Sequence, residues 1–113
     1  MTNLLDALLN SDINVTKELT IPRLNTKIEI KALDIAQLKM LGTGDEDGLK
    51  QIVAESETTG VFRNAELMQK HDAMSPQELV GKVLLSGEIL KIVTAVQDIS
   101  GFDLDATIAK AKN

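Results

Sequence analysis

Cysteine, tryptophan and tyrosine are absent from this 113-residue chain, and Phe62 and Phe102 are its only aromatic residues besides His71. Without cysteine there is no disulfide, no thiol nucleophile and no thiolate metal site. With so few rings there is little to stack on bases or sugars, and the core has to be aliphatic. Positive charge is also short. Lys and Arg number 12 against 17 Asp and Glu, for a net charge of −5, and the acids are spread over both halves. That excludes the clustered basic face of a nucleic-acid binder and attraction to an anionic membrane surface. No window approaches the roughly 20 apolar residues of a membrane span. The N-terminus lacks a basic region followed by a sustained apolar run, so no signal peptide is expected. The Asn14-Val15-Thr16 sequon then reads as chance, and a cytoplasmic location is expected.

What is present is aliphatic periodicity punctuated by capping chemistry. Thr2 or Asn3 can cap a first helix carrying Leu4, Leu5, Leu8 and Leu9, which Asn10-Ser11-Asp12 ends. Residues 1–12 can pack on the domain or serve as a mobile docking arm. Residues 17–21 and 27–32 alternate apolar and polar, with Leu19 and Ile21, then Ile28, Ile30 and Ala32, on the inner face. Period two of this length predicts half-buried strands, and Pro22 closes the first. Asp34 with Gln37 forms a capping box for a helix burying Ile35, Leu38 and Leu41. A loop over 42–48 and a helix over 49–55, with Leu49, Ile52 and Val53 inward, follow. After a turn over 56–60, Asn64 caps a helix with Leu67 and Met68 inward. Ser75-Pro76-Gln77-Glu78 is a strong helix start, followed by Leu79, Val80, Val83 and Leu84. Ser86 opens the longest helix, where Ile89, Ile92, Val93, Val96 and Ile99 fall at helical spacing, Leu90 widens the stripe and Gly101 fits a left-handed stop. Asp103 caps a last short helix. The expected architecture is α+β, mostly α, with one small antiparallel hairpin covered by about six short helices, forming one domain over residues 1–113.

No constellation carries chemistry. Aligning Gly48 with the sixth position of a calcium-binding EF-hand loop puts Thr43 at the first position and Ala54 at the twelfth, where carboxylates are needed. Gly42-Thr43-Gly44 lacks the continuation of a phosphate or dinucleotide loop. His71-Asp72 lacks a nucleophile elbow, and favourable charge at a helix C-terminus explains the histidine. The carboxylate pairs Glu55/Glu57 and Asp103/Asp105 sit at predicted helix ends, where capping explains them. No catalytic residue, cofactor or metal is expected. What remains is surface for partners. Leu4, Leu5 and Leu8 on the first helix, and Leu90, Val93 and Val96 on the long stripe, are the candidate contacts, and an isologous apolar patch would permit self-association.

Three segments, Ser75-Pro76-Gln77-Glu78-Leu79-Val80, Leu84-Leu85-Ser86-Gly87-Glu88-Ile89 and Ile99-Ser100-Gly101-Phe102-Asp103, resemble the closing pattern of the XkdN-like phage tail assembly chaperones. Ile21-Pro22-Arg23-Leu24 and Ile28-Glu29-Ile30-Lys31-Ala32-Leu33 also look familial. The main departure is Ser86, where the family usually has proline and where a serine N-cap is expected to do the same job. The resemblance implies a non-catalytic role in the host cytoplasm. Such a chaperone binds the long tape measure protein, helps bring tail tube subunits around it, and leaves before the virion matures. Frameshifting near the gene's end gives a longer form in many tail operons, and Ala111-Lys112-Asn113 is compatible with a slippery stretch there. The alternative is a structural tail or head-completion component retained in the virion.

Overall fold

The alternation over residues 17–32 folds into an antiparallel hairpin of β1 (Thr16–Ile21) and β2 (Thr26–Lys31), with Thr16 opposite Lys31 and Ile21 opposite Thr26. This is a computed structural model in which residues 3–11, 15–40 and 46–101 are described. Pro22 supplies the first residue of a 3₁₀ turn over Pro22–Leu24, and Asn25 completes the reversal at φ 50°, ψ 42°. Asparagine tolerates this left-handed geometry because its side chain is short and polar. Leu19 faces Ile28 across the ladder, and Ile28 and Ile30 turn inward while Lys27, Glu29 and Lys31 face out.

Six helices are described: α1 (Leu4–Leu9), α2 (Ile35–Met40), α3 (Glu46–Ser56), α4 (Ala65–Lys70), α5 (Pro76–Val83) and α6 (Ser86–Ile99). The fold is α+β and mostly helical, as the sequence predicts. Helix α3 packs against α5 and α6, and α6 covers the hairpin. The core joins Ile21, Ile28, Ile30 and Leu33 to Ile52 and Val53 of α3, Leu79 and Val80 of α5, and Ile89, Ile92, Val93 and Val96 of α6. An aliphatic interior of this kind is assembled by i, i+3, i+4 stripes meeting a period-two face.

Several predicted caps form as expected. Asn64 Oδ1 accepts from Leu67 N at 2.9 Å, and Ser75 Oγ accepts from Glu78 N at 3.2 Å. The Asp34 and Gln37 side chains exchange bonds with each other's backbone N–H at 2.7 and 3.1 Å. Glu78 departs slightly from the expected box, since its carboxylate accepts from Met74 N rather than from Ser75 N. Gly101 has φ 94°, the left-handed stop.

Four boundaries or burials need correction. Ile35 is 68 % exposed, because the Asp34–Gln37 box makes it the first helical residue and turns it away from the core. The Leu38 side chain and Leu41 lie outside the described residues. Helix α3 begins at Glu46, not Leu49. Part of the acidic run is therefore its first turn, where carboxylates favour the positive end of the helix dipole and Glu46 meets Lys50 at 2.9 Å. Ser86 is the first helical residue of α6, not its cap, and Leu85 occupies the cap position. Glu88 Oε1 takes the Leu85 N–H at 2.8 Å, one half of a capping box, and no side chain caps the first-turn N–H groups. Proline favours the first helical position, so the proline that the resemblance leads one to expect at 86 would suit this place. The turn over 56–60 is also more than a turn, because Glu57 forms an isolated antiparallel bridge with Ile30. The loop over 42–45 and the helix capped by Asp103 lie outside the described residues.

Candidate docking surfaces

Two surfaces stand out, one convex and one concave. The convex one is α1. Asn3 Oδ1 caps it through Asp6 N at 2.8 Å, and Asn10 Nδ2 and Ser11 Oγ close its end on the Asp6 and Leu8 carbonyls. Leu4, Leu5, Leu8 and Leu9 form one stripe and are 61–74 % exposed, and no residue of the helix is buried.

The concave surface is an open groove of about 830 Å³ between the hairpin and the segment running from Thr59 through α4 to Leu84. Ile21, Ile28, Phe62 and Leu84, all buried, line it, with the more exposed Leu24 and Val61 on its walls. Lys27, Lys82, Glu18 and Glu29 add charge to the lining. The groove is therefore an apolar trough with polar margins, the form that accepts an amphipathic helix.

Three polar devices hold its sides in place. Glu57 is buried, and its carboxylate accepts from the backbone N–H groups of Thr59, Gly60 and Val61 at 3.0, 2.7 and 3.1 Å and from Thr59 Oγ1 at 2.6 Å. That nest shapes the 3₁₀ turn Val61–Arg63, which carries Phe62 inward. Arg23, in the middle of the hairpin turn, grips Glu88 at the start of α6 with charge-assisted bonds, Nη2 to Oε1 at 2.8 Å and Nε to Oε2 at 3.0 Å. Its Nη2 also donates to the Val83 carbonyl at the end of α5 (2.9 Å). Hydrogen bonding to Arg23 holds the Glu88 carboxyl below its ordinary range, and the same contact raises the Arg23 guanidinium further. Lys82 Nζ donates to the His71 and Asp72 carbonyls at 3.0 and 2.9 Å, closing α4 on α5.

The predicted contact residues separate into two groups. Leu4, Leu5 and Leu8 are exposed, and Leu90 is 54 % exposed on the outer face of α6. Val93 and Val96 are corrected to core, at 4 % and 0 % exposure, because α6 turns its i, i+3, i+4 face onto the hairpin and α3. None of the six lines the groove. Sequence reasoning missed the groove residues; only Phe62, as one of two phenylalanines, was conspicuous enough to have been singled out. The Glu55/Glu57 pair stands at the end of α3 as expected, but neither carboxylate caps that helix: Glu55 meets Arg63 at 2.6 Å while Glu57 fills its nest. Among the described residues no group of three or more His, Cys, Asp or Glu could hold a metal ion, and no helix is long and apolar enough to cross a membrane.

Comparison with known proteins points one way. A crystal structure of the protein YqbN, a structural genomics target, superposes with a TM-score of 0.63 at 19 % identity, covering 82 % of this chain and 90 % of that one. At that identity it establishes a shared fold. No curated protein matches the chain. The family described as phage XkdN-like tail assembly chaperone protein matches residues 22–112, from the hairpin turn through the Ser-Gly-Phe-Asp close. The chain belongs to the XkdN-like phage tail assembly chaperones.

Proposed function

We propose that this tail assembly chaperone holds apolar helical segments of the phage tape measure protein in the groove between the hairpin and α4–α5. One observation carries the reading: an apolar trough remains open on a chain that otherwise closes its core. A long helical client exposes leucine-rich faces that aggregate unless covered. A trough lined by Ile21, Ile28, Phe62 and Leu84 covers such a face without covalent chemistry. Leu4, Leu5, Leu8 and Leu90 add contacts outside it. Cover of this kind is reversible by mass action, so tail tube protein displaces the chaperone as the tube grows. The chaperone then acts in the host cytoplasm and is absent from the finished virion.

The test is co-expression with the tape measure protein of the same phage, followed by solubility measurement and pull-down. The client is expected to become soluble and to co-purify, and Leu24→Asp with Val61→Asp to abolish both. If the pair never associates and the chain is instead found in purified virions, the structural reading replaces this one.

A further inference from the structure

We propose that Arg23 is a positioning residue for client capture, which fixes Leu84 in the lining of the groove through Glu88 and two backbone groups. The consequence for binding rests on the reading that the groove holds the client; the positioning stands on the geometry alone.

Only Leu84 and Leu85 link α5 to α6, and both are extended, at φ −117°, ψ 145° and φ −76°, ψ 154°. The backbone groups on either side of Leu84 need partners. The Val83 carbonyl is among the last four of α5, which have no acceptor role within the helix, and the Leu85 N–H lies ahead of α6. Arg23 Nη2 donates to the first at 2.9 Å. Glu88 Oε1 accepts from the second at 2.8 Å. Arg23 Nη2 and Glu88 Oε1 are themselves 2.8 Å apart, and a guanidinium nitrogen with two hydrogens serves both acceptors. The bonds close a ring that runs from the Val83 carbonyl through Arg23 and Glu88 to the Leu85 N–H, with Leu84 held inside the span. Leu84 is buried and lines the groove.

The ring reaches across the trough. Arg23 belongs to the 3₁₀ turn Pro22–Leu24, so its neighbour Leu24 is the hairpin wall while Leu84 is the α5 wall. One side chain therefore sets the two walls relative to each other. The task suits arginine, whose planar fork meets a carboxylate edge and a carbonyl together, where a lysine ammonium is a single point charge. As a source of stability the pair is modest, because the two side chains are 41 % and 17 % exposed and such pairs are worth little in water. Its larger effect is on order. An apolar wall fixed beforehand does not have to be immobilised when a client helix seats.

The test titrates the full chain with helical peptides that tile the tape measure protein of the same phage, and follows the leucine methyl signals of each variant by NMR. Arg23→Gln is expected to bind about tenfold more weakly, the ordering cost of a side chain and its short link, and to shift or broaden the Leu84 methyl signals. Arg23→Lys is expected to fall between. Glu88→Ala should weaken binding as much as Arg23→Gln, and the double variant no further, because the ring opens only once. Ile52→Val lowers stability from the core and lies outside the lining, so its affinity is expected to match the unaltered protein. Three results overturn the proposal: Leu84 signals that do not move in Arg23→Gln, losses that add in the double variant, or an Ile52→Val that binds as weakly as Arg23→Gln. If no peptide binds the unaltered protein, the client reading falls and the Leu84 signals decide the positioning on their own.

Discussion

Glu57 brings a carboxylate into the interior and meets three backbone N–H groups and one hydroxyl there. Bonds to an ionised acceptor are about twice as strong as neutral ones, and stranded buried donors are costly. Glu57→Ala is therefore expected to destabilise by about 2–4 kcal/mol, seen as a drop of roughly 10 °C or more in thermal midpoint. Glu57→Gln should lose less, because one amide oxygen still accepts. At Glu88 the effect depends on pH. Its folded pKa is lowered from the ordinary 4.5, so the contribution of the Arg23 pair is fully present above 4.5 and is lost as pH falls through the lower folded value. Arg23 is raised, so its share persists throughout the neutral range and fails only in strong base. Urea unfolding of Glu88→Gln beside the unaltered protein should show a gap at neutral pH that narrows with acidification below 4.5. A gap of constant size would remove the ion pair from this account. On α6, Val93→Asp places an unpaired charge in the core and is expected to unfold the chain or cost at least about 3 kcal/mol. Leu90→Asp, one turn away and exposed, should stay within about 0.5 kcal/mol of the unaltered protein.

Elements were legible in the sequence where their cause is local. The Asn64 and Ser75 caps and the Asp34–Gln37 box form because donor and acceptor lie three residues apart. The hairpin was legible because period two leaves only one face to bury. Misreadings occurred where two local signals compete. Ser86 is a good cap by type, but Glu88 reaches back to Leu85 and moves the start of α6 by one residue. Glu46 and Asp47 look like loop acids and also suit a first turn. The groove could not be read at all, because its walls come from β1, β2, the Val61–Arg63 turn and α5, and no periodicity connects them. The familial segments turn out to be largely structural. Ser100 Oγ accepts from Leu33 N at 2.9 Å, Ser75 caps α5, and Glu88 holds Arg23. Gly87 is different: it sits in the first turn of α6 with open space where a Cβ would stand. Gly87→Ala should raise stability by about 0.5–1 kcal/mol, checked by chemical denaturation. A loss would mean that something outside this chain needs that space.

Across the whole molecule, two contacts tie the first third of the chain to the last. Arg23 to Glu88 spans 65 residues and Leu33 to Ser100 spans 67. Between them they fasten the turn of the hairpin and its exit to the two ends of α6. A two-stranded hairpin is at best marginal alone, and this one is covered by the last described helix. Closures over such separations carry a loop-entropy cost that local helix contacts do not. During synthesis the strands leave the ribosome well before the helix that shelters them, and a chain stopped short of Ser86 lacks the part of the hairpin's cover that α6 supplies. Until α6 has been made, this chaperone itself exposes an apolar face that needs a cover.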